Sequence, residues 1–283
     1  MAYLSTNGAA APVFDVDSVH FSYDGRQTAL DGVSLRIKAG EKIAILGSNG
    51  SGKSTLLKLL DGLYFPTSGE IRYRGVTLSE AKFNEDDSFS FGFRRGVSLV
   101  FQDTDVQLFS PTVWEEVAFA PLQLDIPDDE VRSRVDAALC ALRIQHLAER
   151  TPHRLSGGEK RRVALASVLS LGPDVWLLDE PTTGLDPRSQ SWLIDFILER
   201  SAAGETFITA THDLDIVSII ADRVYVFAEN HKIVAEGTPA EILSNHDLLL
   251  ECNLIHEHSH RHGELVHSHP HGHDAHATHE HAA

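Results

Sequence analysis

The sequence predicts an α/β fold in which a mostly parallel β-sheet is flanked by helices. Four apolar runs, near Ile43, Val97, Val175 and Phe207, are too short to be helices. They are mostly apolar and do not alternate strictly with polar residues, which suits strands that are buried on both faces of a parallel sheet. Helical segments alternate with these runs, and this order is typical of a layered α/β domain.

Antiparallel strands are expected both before and after these four runs in the sequence. An N-terminal antiparallel β subdomain is predicted at residues 13–21, 33–37 and 71–73. A closing hairpin is predicted at residues 224–227 and 233–236.

An inserted α-helical subdomain is expected at about residues 103–170. Residues 128–142 have apolar side chains at helical spacing, and Ser156 is a suitable cap for a helix from residue 157 to 171. A further helix is expected at residues 213–220. The predicted division of the chain is an N-terminal extension (1–12), a main domain (13–245) and a histidine-rich tail (246–283).

A glycine-rich loop follows the first apolar run of the parallel sheet and precedes a helix near residues 56–60. It fits the phosphate-loop pattern G-x-x-x-x-G-K-[ST]. Its glycines allow successive backbone N–H groups to face phosphate oxygens, Lys53 can reach the β- and γ-phosphates, and the Ser54 hydroxyl can ligate Mg²⁺. The residues expected to contact ATP are Gly47, Ser48, Asn49, Gly50, Ser51, Gly52, Lys53 and Ser54.

Two adjacent carboxylates follow the apolar run at residues 175–178. Asp179 is placed to hold Mg²⁺, whereas the next side chain must point elsewhere. We therefore assign to Glu180 the role of polarising the attacking water. The rigid turn predicted at residues 181–187 makes a merely solvated strand end a weaker interpretation.

Two further polar residues follow predicted strands. His212 comes after residues 207–211, and we expect it to contact the γ-phosphate. Gln102 comes after residues 97–101, and its amide is in a position to reach both Mg²⁺ and the attacking water.

The set of motifs, in this order, resembles the nucleotide-binding domain of ATP-binding cassette (ABC) transporters, a P-loop NTPase. The resemblance extends over residues 13–245 and makes the loop up to Thr55 the Walker A motif and Asp179-Glu180 the Walker B motif. It implies that Tyr23 stacks on adenine and that residues 184–186 form the D-loop.

The resemblance also implies a dimer. Residues 155–159 match the signature motif, which closes over the ATP of the other subunit. The implied ATP contacts in this motif are Ser156, Gly157, Gly158 and Glu159. Since every ATPase motif is intact, a homodimer is the simpler expectation, and a heterodimer with a related ATPase is the alternative.

A finer resemblance lies in residues 100–103, 107–113 and 115–119. These segments look like the energy-coupling-factor branch of the family, which includes cobalt and nickel importer ATPases. In that branch this region receives helices of a membrane scaffold protein. Residues 80–96, by contrast, do not match the expected pattern and are predicted to be a surface loop.

The composition limits the compartment and the partners. The chain has 24 Lys and Arg against 41 Asp and Glu, for a net charge of −17, which argues against nucleic-acid binding. It has neither an apolar run long enough to cross a membrane nor a signal segment, and Cys140 and Cys252 are far apart. We therefore expect a peripheral protein on the cytoplasmic face of the membrane, with other chains providing the membrane path and the substrate-binding subunit.

The tail is rich in histidine and poor in apolar residues, so we expect it to lack regular structure. Neutral imidazole binds Ni²⁺, Co²⁺, Zn²⁺ and Cu²⁺. A solvated linker and compositional drift are the alternatives; a purification tag would have contiguous histidines. The predicted metal ligands are His256, His258, His260, His262, His267, His269, His271 and His273.

These inferences favour an ATP-hydrolysing subunit that energises import of a transition-metal cation, Ni²⁺ or Co²⁺. The alternatives are a coupling-factor ATPase for a vitamin importer and a soluble, metal-binding regulatory ATPase.

Overall fold

The computed structural model describes residues 11–124, 126–262 and 265–272; residues 256–262 and 265–272 are described by their backbone. The strands in these residues are β1 (Phe14–Tyr23), β2 (Gln27–Ile37), β3 (Lys42–Leu46), β4 (Ser68–Tyr73), β5 (Val76–Thr77), β6 (Val97–Val100), β7 (Val175–Asp179), β8 (Thr206–Thr211), β9 (Arg223–Phe227), β10 (Ile233–Gly237), β11 (Ile255–His262) and β12 (Leu265–Gly272). The helices are α1 (Lys53–Leu60), α2 (Glu80–Glu85), α3 (Asp87–Gly96), α4 (Val113–Gln123), α5 (Asp128–Ala141), α6 (Gly157–Leu169), α7 (Pro187–Ala202), α8 (Leu214–Ile220), α9 (Pro239–Leu243) and α10 (His246–Glu251).

The α/β fold predicted from the sequence is confirmed. The central sheet has the strand order β10-β9-β3-β8-β7-β6, and all its pairings except β10 with β9 are parallel. Every residue of β6, β7 and β8 is buried, which explains why these strands are mostly apolar; their polar members include Ser98 in β6 and Thr209 in β8. A second, antiparallel sheet has the order β2-β1-β4-β5.

Three helices, α4, α5 and α6, pack together beside the central sheet. The face of α5 that was predicted to be apolar is buried, including Val131, Val135 and Leu139. Thr112 and Glu115 form a capping box that begins α4, and Ser156 and Glu159 form another that begins α6. No helix in the described part of the chain is long and apolar enough to cross a membrane.

The prediction that residues 80–96 form a surface loop is wrong. They form α2 and α3, capped by Ser79 and by Asp86, whose side chains accept hydrogen bonds from backbone N–H groups. Phe83, Phe89 and Phe93 pack against one another, and Phe93 is fully buried. The four-residue spacing of Phe89 and Phe93 is a helical signal that the sequence analysis missed.

The main domain also extends beyond residue 245, where we placed its end. Residues 246–251 form α10, and Leu249, Cys252, Leu254 and Ile255 are buried in a cluster with residues of β3 and β9. The apolar run at residues 248–250 is the physical reason, because its burial anchors the start of the predicted tail.

The expectation that the tail lacks regular structure is wrong for residues 255–262 and 265–272. They pair as the antiparallel strands β11 and β12. Backbone hydrogen bonding requires no apolar side chains, so a composition that cannot form a core is still compatible with a paired hairpin.

Candidate active site

The glycine-rich loop connects the buried strand β3 to α1, as the sequence predicted. Gly52 has φ +115°, and a Cβ atom there would lie 2.4 Å from the carbonyl oxygen of Ala29 in β2. Only glycine fits both this backbone conformation and this close approach. The loop is therefore held against the antiparallel sheet, and its N–H groups and the start of α1 are the groups predicted to bind phosphate.

Lys53 lies inside the loop and is 5% exposed. Its Nζ donates to the carbonyl oxygens of Gly47 (2.7 Å) and Ser48 (3.1 Å) and is 3.4 Å from Oε1 of Glu180. Burial lowers the pKa of Lys53, although the nearby Glu180 opposes this shift. The loop thus holds a poorly hydrated cation, which strengthens its interaction with a phosphate.

Ser54 and Asp179 form the rim of the same loop. The Ser54 hydroxyl donates to Oδ1 of Asp179 at 2.9 Å. Burial raises the pKa of Asp179, and the neighbouring negative charge of Glu180 adds to this shift, whereas the Ser54 hydrogen bond opposes it. A hydroxyl and a carboxylate at this separation are hard oxygen donors of the kind that Mg²⁺ binds, so these residues fit the predicted ion.

Glu180 is directed away from Asp179 by the backbone. Its φ is +43°, an uncommon value for a residue with a side chain, and its Oε2 lies 2.9 Å from Nδ1 of His212. His212 follows β8, which pairs with β7 so that Asp179 is opposite Ala210. Parallel pairing therefore brings Glu180 and His212 together at the carboxyl ends of β7 and β8. Glu180 is 3% exposed there.

A cavity of about 420 Å³ is lined by Lys53, Ser54 and Glu180, whereas Asp179 and His212 are not among its lining residues. Among its lining residues are the predicted Tyr23, Asn49, Thr55 and Gln102. The Tyr23 hydroxyl is 3.1 Å from Oγ1 of Thr55, so the aromatic ring lies beside the phosphate loop. The described structure thus brings together the predicted residues from β1, the loop, the end of β6 and the end of β7.

His231 lines the cavity, although it was not predicted from the sequence. It lies in the turn between β9 and β10 with φ +63°, and its Nδ1 is 3.2 Å from the carbonyl oxygen of Ser51. Its backbone oxygen accepts a hydrogen bond from Asp31. His231 is 180 residues from Ser51 in the sequence, and no local pattern indicates this contact.

The signature residues lie elsewhere on this chain. Ser156 caps α6, and its backbone N–H and hydroxyl both donate to Oε2 of Glu159 at 2.8 Å. The backbone hydrogen bond is the main reason that the pKa of Glu159 is lowered. Gly158 faces the start of α7 and the end of the D-loop, because a Cβ there would be 3.0 Å from Oγ of Ser189 and 4.0 Å from Oδ2 of Asp186. No signature residue is among those that line the 420 Å³ cavity in the described structure.

Arg161, which the sequence analysis also missed, connects α6 to Gln102. Its guanidinium is buried and donates to the backbone oxygens of Phe101 (2.7 Å) and Gln102 (2.8 Å). Burial lowers its pKa, and the charge of Asp179 opposes the shift. The segment around Gln102 is thus fastened to the helix that carries the signature motif.

The fold and this site define the chain as an α/β nucleotide hydrolase with a phosphate loop. A family model for ABC transporters matches residues 30–183. The chain belongs to this family and is an ATP-hydrolysing transporter subunit, which confirms the resemblance.

Relatives show a finer similarity. The chain is 48% identical over 247 residues to the nickel import ATP-binding protein NikO of Rhodobacter capsulatus, covering 86% of this chain and 96% of the relative. It is 40% identical over 242 residues to the energy-coupling factor transporter ATP-binding protein EcfA of Methanocaldococcus jannaschii, covering 86% and 85%. These similarities confirm the energy-coupling-factor branch.

Solved structures of related proteins have the same fold. The ATPase cbiO1 of Clostridium perfringens, part of the ABC transporter complex cbiONQ, superposes with a TM-score of 0.72 at 38% identity, covering 86% of this chain and 95% of that one. An ATP-binding cassette solved as a dimer with ADP and Pi superposes with a TM-score of 0.71 at 27% identity, covering 80% and 98%.

Proposed function

We propose that this chain energises a membrane importer of a transition-metal cation, Ni²⁺ or Co²⁺. The observation that carries the proposal is the 48% identity to a nickel import ATP-binding protein over 247 residues, or 86% of this chain. The histidine-rich tail supports the same class of substrate, because imidazole is a common ligand of these ions. The similarity to EcfA supports a coupling-factor ATPase but its name specifies no substrate, so a coupling-factor ATPase for a vitamin importer is the second candidate.

In the proposed reaction, water attacks the γ-phosphorus of ATP and the bond to the β-phosphate oxygen breaks, giving ADP and phosphate. Glu180 orients this water and accepts its proton, and His212, hydrogen-bonded to Glu180, contacts the γ-phosphate. Lys53 and the loop N–H groups stabilise the charge on the phosphates. Tyr23 packs against the adenine.

Ser54, Asp179 and Gln102 are the residues that would hold Mg²⁺. When bound, Mg²⁺ neutralises charge that develops on the β- and γ-phosphate oxygens. The hydrogen bond between Ser54 and Asp179 orients both donors before the nucleotide arrives.

We further propose that two chains form the working ATPase, with the signature motif of each covering the ATP of its partner. The separation of Ser156 from the cavity of its own chain supports this arrangement. A helix N-terminus that begins at Ser156 offers N–H groups to the γ-phosphate of the partner's nucleotide. The related cassette that was solved as a dimer supports the same conclusion.

The membrane scaffold is proposed to dock in a groove of about 240 Å³ beside α4. Phe109 and Phe119 form an exposed aromatic pair there, with ring centroids 4.8 Å apart. Two carboxylates, Asp61 and Glu116, line the same groove, and burial raises the pKa of Asp61 to about 7. The exposed aromatic pair suits an apolar helix, whereas Asp61 already has a cation nearby, because Arg94 also lines the groove and its charge opposes the effect of burial on the pKa of Asp61.

The groove is tested with Phe109→Ala, which should reduce co-purification of the membrane scaffold protein when the chain is isolated from cell membranes. The matched control is Phe91→Ala, since Phe91 is also an exposed aromatic residue but lies outside the groove. Equal co-purification of both variants would contradict the docking site.

The substrate is tested in cells that express this chain with its membrane partners. We expect accumulation of radioactive Ni²⁺ or Co²⁺ that is lost with Glu180→Gln, and no accumulation of labelled vitamins. ATP-dependent uptake of a vitamin without uptake of either metal would overturn the metal-import proposal.

A further inference from the structure

The hairpin formed by β11 and β12 pairs histidine with histidine. In the antiparallel register His256 is opposite His271, His258 is opposite His269, and His260 is opposite His267. Directly opposed positions in an antiparallel pair have Cβ atoms about 4.5–5.5 Å apart. The backbone therefore juxtaposes six histidine positions as three cross-strand pairs.

These three pairs share one face of the hairpin. Successive residues of a strand alternate between its two faces, so positions 256, 258 and 260 lie on the same face as their partners 271, 269 and 267. The pairs between them, such as Ser259 opposite Ser268, belong to the other face and contain no histidine in the described strands. A shift of one residue in register would separate the histidines.

We propose that this face, which we call the histidine ladder, is a binding site for a divalent transition-metal ion. Two neighbouring pairs place four histidine positions on one face of the hairpin, and imidazole is a donor that suits Ni²⁺, Cu²⁺ or Zn²⁺. The proposal rests on the proposed function only for the choice of Ni²⁺ as the physiological ion. It differs from binding by a flexible tail because the site depends on strand register as well as on histidine content.

Binding and hairpin formation should be coupled. A lone two-stranded hairpin is marginally stable in water, and an ion that binds only the paired form stabilises it by mass action. The ladder also has a fixed attachment to the ATPase domain, because β11 begins at Ile255, which is buried beside α10 in the cluster with β3 and β9. The metal site is thus expected to form next to the main domain.

The test exchanges two adjacent residues in the full-length chain. Combining His258→Ser with Ser259→His keeps the composition and the number of histidines but moves the middle histidine of β11 to the other face. The matched control combines His276→Ala with Ala277→His, an exchange at positions outside the described residues and outside the register pairs.

Calorimetric titration with Ni²⁺ should show that the tightest site is weakened about tenfold or more by the 258/259 exchange, because the preorganised pair is lost, and is unchanged in the control. With Ni²⁺ bound, hydrogen exchange of the strand amides should be slowed in the wild-type chain but not in the 258/259 variant. Equal Ni²⁺ affinity of both exchanged variants, or absence of amide protection in the wild type, would overturn the ladder. Neither result would affect the import proposal, which is tested by uptake in cells.

Discussion

Replacement of Glu180 by glutamine tests the proposed chemistry most directly. The substitution keeps the size of the side chain and removes its charge, so the amide can still accept a hydrogen bond from His212 but is a very poor base. The ion pair with Lys53 at 3.4 Å is lost, as is the negative charge that helps to raise the pKa of Asp179. The pKa of Asp179 should therefore fall in the variant, and Lys53 should interact with phosphate without a competing carboxylate.

The expected effect on hydrolysis is large. A positioned general base contributes about 10²- to 10⁴-fold to the rate. At about 1.36 kcal/mol for each factor of ten, this is about 3–5 kcal/mol of the activation barrier. ATP affinity should be unchanged or higher, because Lys53 loses an anionic partner while the phosphate loop is intact.

Single-turnover hydrolysis and nucleotide titration separate the two effects. Glu149→Gln is the matched control, since it removes the same charge from an exposed residue outside the cavity. A Glu180→Gln protein that hydrolyses ATP at the wild-type rate would refute the assignment of the base. A variant that fails to bind ATP would instead assign Glu180 to binding.

Four further outcomes are expected. Lys53→Ala should weaken ATP binding itself, as measured by nucleotide titration, and unchanged affinity would exclude the proposed contact. Mixing Lys53→Ala chains with Ser156→Arg chains should restore part of the ATP hydrolysis that neither variant has alone. In a mixed dimer, one of the two shared sites combines an intact phosphate loop with an intact signature motif. Failure to recover any ATP hydrolysis would count against shared sites. Removal of residues 256–283 should leave ATP binding intact and remove most Ni²⁺ binding at pH 7.5. In the full chain, Ni²⁺ binding should weaken below about pH 6 because the imidazoles are protonated. Equal Ni²⁺ binding by the truncated chain would contradict a metal site in the tail. Asp61→Asn should change the pH dependence of unfolding: the folded-state pKa of Asp61 is raised to about 7, so the stability from its protonation is present at low pH and lost as pH rises through 7. The variant should therefore be more stable than the wild type at pH 8, by at most about 4 kcal/mol, and similar thermal denaturation of both proteins at pH 5 and pH 8 would disprove this.

Local sequence patterns were sufficient for the parts of the site that are continuous in the chain. The phosphate loop is recognisable because its glycines, Lys53 and Ser54 act through the backbone geometry of one strand–loop–helix segment. The separate directions of Asp179 and Glu180 were also predictable, since adjacent residues at a strand end cannot face the same point. Buried parallel strands were identified because both their faces are apolar.

Segments whose structure depends on packing with distant residues were less predictable from the sequence. The helices at residues 80–96 depend on two caps and an aromatic spacing that only the packing of Phe83, Phe89 and Phe93 makes decisive. The packing of residues 246–255 likewise depends on a cluster whose other members lie in β3 and β9. The histidine composition indicated metal binding, but the cross-strand register was not evident from it.

Contacts between distant residues belong to the tertiary structure alone. His212 meets Glu180 because β7 and β8 are neighbours in the sheet, although 32 residues separate the two side chains. Arg161 and His231 have no sequence motif that links them to Gln102 or Ser51. The positions of Arg161 and His231 result from helix packing and from the strand order. Burial lowers the pKa of Arg161, and it also lowers the pKa of Lys53. Residue types and local spacing thus specify which groups can react, whereas strand adjacency and burial decide which groups meet and how strongly their charges interact.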